Sequence, residues 1–184
     1  ALDHLQSKYK INKFIMTGLC TGAVHSHKIA LKDKRVIGCI WLDGYGFPTA
    51  KFHFNRYAKL FMDPKRLVTS ISKRTWGKLF KSKDDTNGFN SGSLDDYIWK
   101  LPSKNQYVDE MNILTKRAVS CFYIYTGGIN EYYNYEEQFI DTFGQQAFMK
   151  NIEIKYIESA NHTFVVRQDK QIMLDSISQW VQEM

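Results

Sequence analysis

Three stretches of this chain, KFIMTG (13–18), RVIGCIWLDG (35–44) and SCFYIYTGG (120–128), carry apolar runs with no polar alternation, each stopping at a glycine or an Asp-Gly pair. Runs this short and this continuous belong to strands covered on both faces, the habit of parallel sheets. A fourth stretch, IEIKYIES (152–159), alternates well enough for another strand. Helix-like periodicity fills the intervals: AVHSHKIALK (23–32), residues 108–117, and YEEQFIDTFGQQAF (135–148), which carries Phe139, Phe143 and Phe148 and is interrupted near Gly144. The end of a helix is expected over 1–10, and an amphipathic helix over 171–184 with Ile172, Ile177, Trp180 and Val181 inward. Strand alternating with helix gives an α/β protein with about four parallel strands and flanking helices.

The block 45–117 breaks this rhythm. Residues 51–83 hold ten Lys and Arg against Asp63 alone, although the whole chain is only +6, so the rest of it is net negative. The same block contains PKRLVTSISKRTWGKLF (64–80), with broken helical periodicity, and the polar stretch DDTNGFNSGS (84–93). It reads as a basic, largely helical cap insertion with a flexible loop at 84–93, leaving 1–44 and 118–184 as the core. A basic face of this kind attracts anionic partners such as a carrier protein or a phosphate-bearing thioester. Nucleic acid is disfavoured, because no nucleic-acid-binding module accompanies the charge.

Cys20, Cys39 and Cys121 cannot all pair, and two of them lie inside apolar runs, so a disulfide framework is excluded and a reducing, cytoplasmic setting is expected. No apolar run reaches the roughly 20 residues that a membrane-spanning helix requires. No phosphate loop or dinucleotide fingerprint is present, His25 and His27 do not share a helix face, and the acidic residues at 84–96 lack calcium-loop spacing. No cofactor and no metal are expected.

Cys20 is the cysteine with a distinctive setting. It stands in GLCTG (18–22), where a strand stops and a helix begins. A nucleophile raised above a sheet needs a sharp strand-to-helix turn, which flanking glycines permit. The N–H of the next residue, Thr21, then faces a developing oxyanion at a helix N-terminus. His162, in ANHTF directly after the fourth strand, is placed to act as general base toward the thiol. A carboxylate that orients the histidine is available as Glu131, after the third strand, or as Asp43, at the end of the second. With Glu131 the chain order is nucleophile, acid, histidine.

On these residues the chain resembles the C-terminal part of an α/β-hydrolase. GLCTGA, the DKRVIGCIWLDG strand and SANHTF are similar to a group of bacterial α/β-hydrolase-like proteins with GLCSGA at the nucleophile elbow and a terminal DHTF. Asn161 stands where that group carries Asp, and Ile129 and Asn130 precede Glu131 where it carries an acid. The resemblance implies hydrolysis or transfer of an ester or thioester through Cys20, His162 and Glu131, with Thr21 N–H as oxyanion donor, on a small-molecule or carrier-bound acyl substrate. The alternative is a catalytically degenerate binding or assembly module. It also implies strands before the elbow strand and a second oxyanion donor that residues 1–184 do not supply. The elbow strand is therefore expected to be covered, by a second copy or by a missing N-terminal half.

Overall fold

Alternate side chains of the two central strands go to opposite sides of one sheet, and that alternation organises the molecule. The computed structural model of the chain describes residues 1–62 and 102–184. In it β1 (Phe14–Leu19), β2 (Val36–Leu42), β3 (Ser120–Thr126) and β4 (Ile152–Ile157) form a parallel sheet in the order β1-β2-β3-β4. Cys39 and Trp41 of β2 join Cys121, Tyr123 and Tyr125 of β3 in one core layer. Ile40, Leu42, Phe122 and Ile124 build the other.

Helices cover both layers. On the Trp41 side lie α2 (Thr21–Lys32) and α4 (Lys104–Lys116), which bury Ala23, Ala30, Tyr107, Met111 and Leu114. On the other side α6 (Arg167–Glu183) stacks Trp180 on Phe122, ring centroids 5.8 Å apart. The expected α/β architecture of four parallel strands with flanking helices is what the chain adopts. The shorter elements are α1 (Leu2–Tyr9), α3 (Ala50–Met62), α5 (Gln138–Phe143) and a 3-10 turn at Ala147–Asn151. Gly144 caps α5; Phe139 and Phe143 are buried before this break and Phe148 beyond it.

Several expectations shift. The last helix starts at Arg167 rather than 171, with Asp169 of its first turn accepting a 2.6 Å bond from Ser159 Oγ. Trp180 points inward as expected and Ile172 and Ile177 pack against the same core layer, but Val181 is 42% exposed, because one residue past Trp180 is a rotation of about 100° off the buried stripe. Tyr45, Phe52 and Tyr107, from the two ends of the 45–117 block, are buried in the core. The flexible loop expected at 84–93 and most of the basic segment lie outside the described residues. Among the described residues no helix is long and apolar enough to cross a membrane. β1 is a terminal strand there, pairing with β2 alone.

The helix that leaves the elbow is tied to α4 by a hydrogen bond between buried His27 and half-buried Glu110. His27 Nε2 is 2.8 Å from Glu110 Oε2, with the imidazole 1% exposed and packed against Trp41, Tyr45 and Tyr107. Burial lowers the His27 pKa below 6.5, and the bond to Glu110 opposes this only in part. Below about pH 6.5 the unfolded chain therefore binds a proton that the folded chain resists, so stability falls with acidification by at most about 1.4 kcal/mol per pH unit from this site. Urea midpoints from about pH 7 to 5 should fall less steeply in His27→Gln than in the parent; equal slopes would contradict this assignment.

Candidate active site

All four strands are parallel, so their C-terminal ends share one edge of the sheet, and the chemistry-bearing residues gather there. Among the described residues, three of the five non-glycine residues with positive φ sit on that edge: Cys20 at 57°, Asp43 at 47° and Phe164 at 51°. Such conformations each cost on the order of 1–3 kcal/mol and persist where the surroundings enforce them.

The elbow is enforced by packing. Cys20 has ψ −119° and is the residue from which α2 springs, with its thiol half-buried. Its N–H donates to Leu42 O at 2.9 Å, and its own carbonyl accepts from Ala23 N at 2.9 Å. Gly18 is required here, since a Cβ on it would lie 2.2 Å from the carbonyl carbon of Gly22 and 2.5 Å from Ala23 N. Gly22 is different: a Cβ on it would meet nothing within 4 Å, so only the first glycine of G-x-C-x-G answers a steric demand among the described residues. Thr21 opens α2, so its N–H is one of the helix's free first-turn donors, near the thiol in sequence.

His162 reaches this edge by crossing the end of β3. Gly127 and Gly128 let it do so: a Cβ at 127 would fall 2.0 Å from Glu158 O, and one at 128 would fall 2.6 Å from His162 N. Asn161 closes the turn by accepting from Val165 N at 3.0 Å through its side chain, leaving the imidazole to another partner. That partner is Asp43, whose Oδ2 is 2.7 Å from His162 Nδ1.

Asp43 is wholly buried, and its two oxygens also accept from Thr126 N at 2.7 Å and Thr126 Oγ1 at 2.8 Å. Burial pushes its carboxyl up, while the bonds from His162 and Thr126 pull it down; the net direction is upward. Three donors aimed at one carboxylate hold its orientation. With Nδ1–H given to Asp43, the network assigns the lone pair of a neutral imidazole to Nε2, the arrangement a proton acceptor needs.

Of the expected site residues, the structure joins His162 to Asp43 rather than to Glu131. Glu131 is exposed on the loop after β3, where its backbone carbonyl accepts from Arg56 Nη1 at 3.4 Å. The physical reason is the double glycine, which brings the histidine turn across β3 toward the end of β2. Cys20 and Asp43 lie at the ends of adjacent strands, Leu19 being in register with Leu42. Among the described residues no hydrogen bond joins Cys20 Sγ to His162. Cys39 and Cys121 are buried opposite each other in the core, away from this edge.

No family model matches the chain, and no curated protein matches it. Among solved structures it is similar to a carboxylesterase of the ammonia-oxidizing thaumarchaeon Nitrososphaera gargenis, over 100% of this chain and 71% of that one, at 13% identity and a TM-score of 0.46. A likeness that loose assigns no family.

Sequence reasoning missed the bonds that two residues make to Asp43. Thr126 gives both its N–H and its hydroxyl to Asp43, and Tyr132 Oη donates to Asp43 O at 3.0 Å. The available signal was Asp43 itself: a carboxylate at the end of a run as apolar as VIGCIWL must be buried with donors, and the polar residue that ends the next apolar run is Thr126.

Proposed function

We propose that the chain performs acyl chemistry on an ester or thioester, with Cys20 as nucleophile, His162 as general base and acid, and Asp43 as the orienting carboxylate. The 2.7 Å contact between His162 Nδ1 and a wholly buried Asp43, on the same sheet edge as the strained Cys20, carries this reading. A buried carboxylate that accepts three hydrogen bonds fixes the imidazole tautomer, so Nε2 is free to take a proton. Cys20 stands at the N-terminus of a 12-residue helix, whose field favours negative charge that develops beside it during reaction.

In the proposed reaction the Cys20 thiol gives its proton to His162 Nε2 as sulfur attacks the acyl carbonyl. Thr21 N–H helps hold the resulting oxyanion, which collapses as His162 returns the proton to the leaving alcohol or thiol. Water or another acceptor then attacks the Cys20 acyl group with His162 as base, giving hydrolysis or transfer. The sulfur-to-imidazole hydrogen bond that this needs is one that commonly tightens only with substrate in place. The basic segment 51–83 suits an acyl group carried on an anionic partner.

Alkylation of Cys20 by iodoacetamide at neutral pH tests the reading. Cys20 is expected to react faster than an ordinary free thiol, and His162→Ala to slow it by about tenfold or more. Slow alkylation that ignores His162 would favour the binding or assembly module instead.

A further inference from the structure

The loop after β3 is fastened to the loop after β2 at points that converge on Asp43. At φ 47° the Asp43 carbonyl turns out of the sheet ladder and accepts its bond from Tyr132 Oη at 3.0 Å. The Tyr132 ring lies against Gly46, where a Cβ would come within 2.6 Å of Cδ2 and 2.9 Å of the Tyr132 carbonyl oxygen. That carbonyl accepts from Gln138 Nε2 at 2.7 Å, and the same amide nitrogen donates to Phe47 O at 3.0 Å. Gln138 Oε1 accepts from Asn134 N at 3.0 Å. Gln138 is wholly buried, so both of its N–H groups and its oxygen are committed, and a flipped amide would set donor against donor at Asn134.

We infer that Tyr132 is a positioning residue for Asp43, fixed in turn by Gln138, and that it governs how firmly Asp43 holds His162. The inference deepens the acyl-chemistry reading and rests on it for its catalytic consequence. Without the hydroxyl, the Asp43 carbonyl loses its donor, and the left-handed backbone that sets the carboxylate loses a restraint. The carboxylate then moves relative to the imidazole it contacts at 2.7 Å. Burial also pushes the Tyr132 phenol well above its ordinary range, so it stays a protonated donor across the working pH range.

The test follows the downfield proton resonance of His162 Nδ1–H, assigned by its loss in His162→Gln, beside the Cys20 alkylation rate. Tyr132→Phe is expected to broaden or shift this resonance upfield and to slow alkylation about tenfold, with the urea midpoint nearly kept. Gly46→Ala, which keeps the hydroxyl but displaces the ring, should do the same, whereas Glu137→Gln, on the same loop and exposed, should do neither. An unchanged resonance in folded Tyr132→Phe and Gly46→Ala overturns the inference and leaves the acyl reading standing. A resonance that responds as expected, in a chain whose Cys20 is unreactive, upholds the positioning role and sinks the acyl reading.

Discussion

Asp43→Asn should fold and yet lose about 10^3-fold or more of its acyl turnover, approaching the roughly 10^4-fold loss expected when such an acid becomes an amide. The present carboxylate accepts from Thr126 N, Thr126 Oγ1 and His162 Nδ1, with the latter two on Oδ2. An amide can keep its oxygen on Thr126 N only by turning its NH2 group toward the other two. The threonine hydroxyl can rotate to accept, so stability changes little. The imidazole must switch tautomer, placing the proton on Nε2, where it can no longer receive one from sulfur. Turnover of an activated ester measured beside a urea titration separates the two effects. Glu131→Gln, by contrast, should alter turnover by less than about fivefold, the reach of an exposed charge. The reverse ranking would return the acid's role to Glu131.

The second large effect falls on the fold. Gly18→Ala places a methyl 2.2 Å from the backbone of Gly22, at the first turn of α2, where neither side has a flexible end to yield. A loss of about 3 kcal/mol or more is expected, read as a lower urea midpoint. Gly22→Ala meets open space inside a helix and should be neutral or stabilising by about 0.5–1 kcal/mol. Equal tolerance at both positions would mean that the elbow is not held by this contact.

The two central strands were legible because they are buried on both faces and therefore carry continuous apolar runs, whereas β1 and β4, at the ends of the described sheet, are only partly buried. The turns at Cys20 and His162 were legible because the first follows an apolar run and the second an alternating one. The carboxylate that bonds His162 was not, because chain order admits both Asp43 and Glu131. What separates them is a tertiary crossing, allowed by Gly127 and Gly128, that pattern along the chain does not encode. The bonds of Tyr132 and Gln138 were hidden for the same reason: they go to backbone carbonyls of the loop after β2, 89 and 91 residues away, or within their own loop. Val181 was placed inward because it is apolar, whereas the register of α6 is set by Trp180 on Phe122.

The most direct measurement of the central proposal is the intact mass and peptide map of the full chain after brief exposure to an activated acyl thioester. One acyl group on Cys20, none on Cys39 or Cys121, and none in Cys20→Ala is the predicted result. An unmodified Cys20, or labelling that persists unchanged in Cys20→Ala, would contradict it.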